Sequence, residues 1–428
     1  MELKDKLYDL KANALSYFDV KYKSNPDKFQ ILRNNAIEIF TDLGIPNIKV
    51  EDWKYTNVAF LNRIDFDFNK KTTLEKIDFS SHNIDNTNLV VIINGKISEE
   101  YSNFNFQNGI EISSINDIDS NFENYIGKIT NLEHHFTALN TAIFDGGIFI
   151  NVKDNIDAEF PIQLLFVNSA NANEIHNYRK LIKIGNNSNV KFIESYLTIG
   201  ENAVLNNNVG EIFVGKNSNI EINFVQNNST NDNTISSNYI YQERDSVFTS
   251  LTFGLNGKFT RNYLSTILDD ENCTTNYYGI FIPNGNEVMD NHTLVNHAKP
   301  HCYSNENYRG VIADKAIGVF NGKIYVAKDA QKTNAYQSNK NILLSDSATI
   351  NTKPELEIYA DDVKCSHGAT SGSLDAESLF YLRARGIDFN TAQSLLLNAF
   401  VGEITEKITI NKLKEKVESI IEKKLSNK

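Results

Sequence analysis

The chain has 428 residues, 41% of them hydrophobic, and a formal net charge of −12. That is enough apolar side chain for one large body or two to three units, and the acid surplus argues against a nucleic-acid binder, which needs Lys and Arg to displace counterions. The three cysteines, Cys273, Cys302 and Cys365, show no CxxC spacing, so neither a disulfide framework nor a self-contained cysteine-rich zinc site is expected.

The opening MELKDKLYDLK is charged from its second residue and has no apolar h-region. No stretch approaches the ~18 uninterrupted apolar residues of a membrane span. The expectation is therefore a soluble, cytoplasmic protein with neither signal peptide nor membrane helix.

Residues 1–135 read as an N-terminal helical and mixed domain. In DKFQILRNNAIEIFTDLG, Phe29, Leu32, Ala36, Ile37, Phe40 and Leu43 recur at helical spacing until Gly44 and Pro46 stop the helix. EDWKYTNVAFL follows with the only tryptophan, Trp53, read as a packing anchor between elements. From about residue 60 the chain turns polar and Asn-rich, with short strand-like pieces such as NLVVIINGKI.

Residues 136–368 change character: short β-branched and aromatic runs alternate with Asn, Gly, Ser and Asp corners. IGNNSNVKF at 184–192 recurs as VGKNSNIEI at 214–222, an offset of 30, and the corner IGEN at 199–202 falls midway. Corners at such intervals suit a stacked β-solenoid that buries a column of Val, Ile and Phe. Asn suits the corners, because its amide bonds along the stack and it tolerates left-handed backbone. This reading puts Val190, Phe192, Ile220 and Ile222 inside. A β-sandwich with hairpins competes, since Asn321-Gly322 in VFNGKIYV ordinarily marks a hairpin turn.

Residues 369–428 are helical again. SLDAESLFYLRARG ends at Gly386, and NTAQSLLLNAFVGEI opens with Asn390 and Gln393 in capping-box positions. Ala392, Leu395, Leu396, Ala399 and Phe400 share one face, and Leu413, Val417, Ile420 and Ile421 another. Such stripes dock either on a partner or back onto the chain's own body.

The chemical candidates are few. In DDVKCSHGAT, Cys365 and His367 would share one face of a strand, about 7 Å apart, which is long for a nucleophile and its base. The residues alone leave half a shared metal site and an inert buried thiol beside an ordinary histidine both open. His292, His297, His301 and Cys302 cluster in NHTLVNHAKPHC, but Pro300 spoils a zinc helix, and loop or corner histidines are expected. Asp361 and Asp362 are adjacent and would face opposite sides of a strand, so they cannot flank one glycosidic bond. No nucleotide-binding motif is present, and the chain shows no complete catalytic set.

The segment from Tyr308 to Ile387, YRGVIADKAIGVFNGKIYVAKDAQKTNAYQSNKNILLSDSATINTKPELEIYADDVKCSHGATSGSLDAESLFYLRARGI, strongly resembles the SufB/SufD family of iron–sulfur cluster assembly scaffolds, as does EDWKYT. KCSHGATSGSLD has the SufD form; SufB usually carries Glu-His-Glu-Ala where this chain has Ser366-His367-Gly368-Ala369. The resemblance implies a mainly β fold, a right-handed parallel β-helix core with α-helical N- and C-terminal regions. It implies a non-enzymatic scaffold subunit that pairs with a SufB-like protein through the β-helix and with a SufC-like ATPase through the C-terminal helices, where Leu395, Leu396, Ala399 and Phe400 are the candidate contacts. It further implies a transient iron–sulfur cluster at the SufB interface, with Cys365 and His367 supplying half its ligands and no cluster held stably by the isolated chain. The rival readings are a β-helix carbohydrate-active enzyme and a stand-alone homodimeric scaffold.

Overall fold

The computed structural model describes residues 7–69, 78–80 and 82–426. Near its start, α1 (Leu10–Phe18) is capped by Asp9, whose carboxylate accepts the Ala12 N–H at 2.9 Å. Helix α2 (Gln30–Leu43) stops at Gly44, which takes φ +62°. Phe29, Ala36, Ile37 and Phe40 are buried as their spacing predicts, while Leu32 and Leu43 are half-buried. The short α3 (Ser120–Glu123) and the fully buried α4 (His135–Ile143) complete the helical part.

The rest is strand. A hairpin of β1 (Asn88–Ile93) and β2 (Lys96–Asn103) and a strand β3 (Ile110–Ser114) come first. Then follow β4 (Gly146–Val152), β5 (Ile162–Ser169), β6 (Glu174–Ile184), β7 (Asn189–Ile199), β8 (Val204–Val214), β9 (Asn219–Asn227), β10 (Asp232–Gln242) and β11 (Val247–Asn256). The series continues with β12 (Phe259–Leu268), β13 (Thr274–Phe281), β14 (Val288–His297), β15 (Tyr303–Ile312), β16 (Ile317–Val326), β17 (Asn334–Leu343), β18 (Thr349–Ile358) and β19 (Lys364–Gly372). Odd strands from β5 stack in parallel in one sheet with β1 and β2, and even strands from β4 stack in a second sheet with β3. Each strand pairs with the next but one, so the chain winds as a two-sheet parallel solenoid.

The repeat is visible in the register. Val190 pairs with Ile220 and Phe192 with Ile222, all four buried in the interior cluster. Asn321 and Gly322 lie in the middle of β16, paired to His292 and Thr293 on one side and Lys353 and Pro354 on the other, so the hairpin signal is overruled. A Cβ at Gly322 would meet the Gln337 amide, so that side chain would have to shift.

The corners work as predicted. Asn155, Asn187 and Asn217 all have positive φ, and their amides form a ladder, Asn217 Nδ2 to Asn187 Oδ1 and Asn187 Nδ2 to Asn155 Oδ1, each 3.0 Å. An L side chain in this conformation costs about 1–2 kcal/mol unless a short polar group offsets it. Asn187→Ala is therefore expected to lose about 2 kcal/mol in a urea melt, from strain plus two solvent-exposed hydrogen bonds. Asn187→Gly should recover about half of that, and equal losses for Ala and Gly would remove backbone strain from the account.

Three apolar layers hold the body together. One fills the solenoid. A second lies outside the even-strand sheet, where α1, α2 and α4 meet Ile175, Leu205, Ile235 and Phe259. EDWKYT pins this layer: Trp53 is buried with the Arg261 guanidinium 3.9 Å above its ring. Arg261 also reaches the Asp52 carbonyl at 2.8 Å and pairs with buried Asp290, which accepts the Thr56 hydroxyl at 2.5 Å. Trp53 is thus the packing anchor its sequence context predicts. The third layer, outside the odd-strand sheet, is covered by two C-terminal helices, α6 (Phe389–Thr405) and α7 (Asn411–Ser426), which follow α5 (Ala376–Ala384).

Candidate functional site

The solenoid ends differ. At the N-terminal end the outermost strands, β2 and β3, run antiparallel to their neighbours, and β2 carries Lys96, Glu99 and Glu100. At the other end no further described strand stacks on β18 or β19, and β19 is exposed along nearly its whole length. An uncapped end presents unpaired N–H and C=O groups and the cross-section of the interior. Of the two terminal strands, β18 is blunted by Lys353, Pro354 and Glu355 in its middle. Strand β19, KCSHGATSG, has neither proline nor acid and small residues from Gly368 onward, so it is the receptive edge.

Cys365 and His367 stand on this edge. Cys365 pairs with Ala335 and His367 with Gln337 of β17. Ala335 and Gln337 are buried, so the alternation of the strand aims Cys365 and His367 at the interior column, left open because no further turn covers it. Cys365 is half-buried against the Ala335, Ala360 and Leu356 cluster; His367 is exposed. Burial pushes the Cys365 thiol up, against a smaller opposing hydrogen bond with the Ala335 backbone, so in the free chain it is a protonated thiol rather than a ready thiolate.

Beneath His367 the same column continues through Gln337 to Glu306. Glu306 is fully buried, accepts the Thr293 hydroxyl at 2.5 Å and the Gln337 amide at 3.4 Å, and keeps Oε1 unpaired. Burial pushes its carboxyl up to about 7, against the hydroxyl and amide that hold it down. No sequence motif marks Glu306; only the register places it under the open end.

The other histidines do not join the site. His292 and His297 lie on β14, not in a loop, and only His301 is at a corner, with φ +61°. His292 faces Asp290 at 2.9 Å and His297 faces the Ser304 hydroxyl at 2.9 Å. Among the described residues no three His, Cys, Asp or Glu side chains converge as a metal site, so Cys365 and His367 make at most part of one. Asp361 and Asp362 sit in the turn before β19, where Asp362 pairs with Lys332.

Residues 166–400 match the SufBD core domain of the SUF system for FeS cluster assembly, and residues 6–164 match the SufBD protein N-terminal region. The chain belongs to the SufBD family. A SufBD family iron–sulfur cluster assembly protein of Synechocystis is 32% identical over 405 residues, covering 91% of this chain and 89% of its own length. The iron–sulfur cluster assembly protein SufD of Escherichia coli is 30% identical over 411 residues, 95% of each chain. SufD of Bacillus subtilis is 29% identical over 307 residues, 68% of this chain and 67% of its own. At the level of the family the function is iron–sulfur cluster assembly.

In this SufBD chain the C-terminal helices divide their faces. The buried side of α6 is Leu397, Val401 and Ile404, packed with Leu413, Val417 and Ile421 of α7 against the solenoid. Docking back onto the body is thus realised: on α7 through the predicted Leu413, Val417 and Ile421, but on α6 mainly through residues beside the predicted stripe, of which Ala392 alone is buried. Leu395 and Ala399 are exposed, and Leu396 and Phe400 are half-buried. The N-cap of α6 is Asp388, accepting the Thr391 N–H at 3.0 Å, which corrects the Asn390 capping box: Asn390 is already inside the first turn. Helix α5 adds exposed Phe380 and Tyr381, which the sequence reading did not single out. Among the described residues no helix is long and apolar enough to cross a membrane.

Proposed function

We propose that the chain is a SufD-type scaffold subunit whose open β19 edge pairs with a SufB-like solenoid, and that Cys365 and His367 form this chain's half of a site where an iron–sulfur cluster is built as cargo. The observation that carries the proposal is the uncapped solenoid end with a soft thiol and an imidazole on its one receptive strand. Two ligands leave the rest of the coordination sphere to the partner, so the isolated chain is expected to hold no cluster stably. The family match displaces the carbohydrate-active reading. Co-expression with tagged SufB-like and SufC-like proteins tests the assembly: recovery of this chain with both supports it, and a homodimer that excludes the SufB-like chain overturns it in favour of the stand-alone scaffold. A cytoplasmic setting suits a site of reduced thiols.

The ATPase contact is assigned to the outer face of α5 and α6. Phe380, Tyr381 and Leu395 are large apolar side chains left in solvent, and a groove lined by Phe380, Leu382 and Leu396 runs beside them. Removing residues 372–428 would strip Leu397 and Leu413 from the solenoid, so point changes are the better test. Leu395→Asp and Phe380→Ser are each expected to weaken capture by a SufC-like ATPase at least ten-fold while thermal unfolding stays within a few degrees of wild type. Unchanged capture by both variants would move the contact elsewhere.

A further inference from the structure

A second site lies on the opposite side of the odd-strand sheet from the interior column. A cavity of about 340 Å³ is enclosed by β7, β9, α7 and the segment His82–Ile84. Its walls are built rather than accidental. Buried Gln163 of β5 holds the His82–Ile84 segment in place, donating to the His82 carbonyl at 2.6 Å and accepting the Ile84 N–H at 3.1 Å. Ile84, Ile193, Val225, Leu413 and Ile420 make one side apolar.

The polar side is positive and unmatched. Lys416 and Lys423 project from α7 into the lining, seven residues and two turns apart. Neither forms an ion pair among the described residues; the only hydrogen bond recorded for Lys416 is to the Asn83 carbonyl at a long 3.5 Å. Burial lowers the Lys416 ammonium's pKa, with no carboxylate to oppose it. Burial and the Lys416 charge both lower the His82 imidazole's pKa. Ser195, more than nine-tenths buried on β7, lines the same cavity with a hydroxyl that has no hydrogen-bond partner among the described residues. A half-buried ammonium without an acid, beside a second, exposed lysine and a buried hydroxyl with no partner among the described residues, is unusual in a chain with twelve more acids than bases.

We propose that this cavity binds an amphipathic organic carboxylate, its carboxylate held by Lys416, Lys423 and the Ser195 hydroxyl and its hydrocarbon tail lying on Ile193, Val225 and Ile420. The volume is in the range of small-molecule sites. The ligand bridges α7 and the solenoid, so it fastens the C-terminal helices to the body without touching the open end.

Titration calorimetry of the full chain tests this with sodium octanoate, octanol and acetate as probes. Octanoate is expected to bind at one site per chain, octanol at least ten-fold more weakly, and acetate without measurable heat. Lys416→Met should reduce octanoate affinity ten-fold or more and bring it to that of octanol. Lys412→Met, which changes an exposed lysine paired with Glu415, should leave it unchanged. Equal affinity for octanoate and octanol, wild-type binding by Lys416→Met, or no saturable heat with octanoate in the millimolar range would each overturn the site. A thermal melt of Lys416→Met without probe confirms that the loss is of binding and not of fold.

Discussion

Cys365→Ala and Cys365→Ser are both expected to cut cluster formation by the reconstituted complex to a tenth or less of the wild-type yield. Alanine removes the ligand and serine replaces a soft thiolate with a hard, mostly protonated hydroxyl, so two different chemistries converge on one defect. His367→Ala should act in the same direction. None of the three should disturb the body: Cys365 is half-buried on the terminal strand, so losing its sulfur costs on the order of 1 kcal/mol or less. The complex should still form and hydrolyse ATP. The measurement is cluster absorbance after anaerobic reconstitution with the SufB-like and SufC-like partners. Wild-type yield from both Cys365→Ala and His367→Ala would leave a packed thiol beside a surface imidazole and end the shared-site reading.

The second large effect is on stability. Asp290→Ala leaves the Arg261 guanidinium buried against Trp53 without a counter-charge, a change that typically costs about 3–5 kcal/mol. The loss should appear first as release of the N-terminal layer, because the same carboxylate holds Thr56 and Arg261 also holds the Asp52 carbonyl. Tryptophan fluorescence reports it directly, since Trp53 is the only tryptophan. The pH dependence has a defined sign. Burial pushes the Asp290 carboxyl up, but Arg261 and His292 overcome it and hold it down at about 2, below its ordinary 3.8. A depressed folded-state value stabilises the fold above the unfolded pKa, and that contribution disappears as pH falls through the folded one. The stability gap between wild type and Asp290→Ala should therefore be flat from neutral pH to about 4 and shrink between about 4 and 2. A gap that stays unchanged down to pH 2 would remove the Asp290 charge from the account.

The legible parts of this fold are those written as local repetition. IGNNSNVKF and VGKNSNIEI carry both the inward column and the corner ladder, because in a solenoid each residue's neighbour is its own counterpart one repeat later. Trp53 was legible as an anchor, but not the cation above it: Arg261 lies 208 residues away, and neither Arg261 nor Asp290 stands in a motif of its own. The Asn321-Gly322 pair shows the opposite failure. Its hairpin signal is a statement about turns, and the parallel pairing of β16 on both sides outweighs it. In α6 the leucine run Leu395–Leu397 offers more than one apolar face, and periodicity alone does not choose which one the solenoid takes. Cys365 and His367 were legible as a same-face pair. The boundary at 368 already put them at the end of the β core; what the sequence does not carry is the register that sets them over Ala335 and Gln337, positions buried one turn earlier.

The asymmetry between the two ends of the stack also limits how many chains can associate. A rod with two receptive ends adds units indefinitely and grows into a fibre. Here the far-end strands β2 and β3 run antiparallel and β2 is charged, β18 carries a proline, and among the described terminal strands β19 is the one the proposal takes as receptive. When two such rods meet, each consumes the other's single vacancy, and no edge is left to recruit a third. If the chain pairs through β19 as proposed, edge-to-edge association of such solenoids would stop at two.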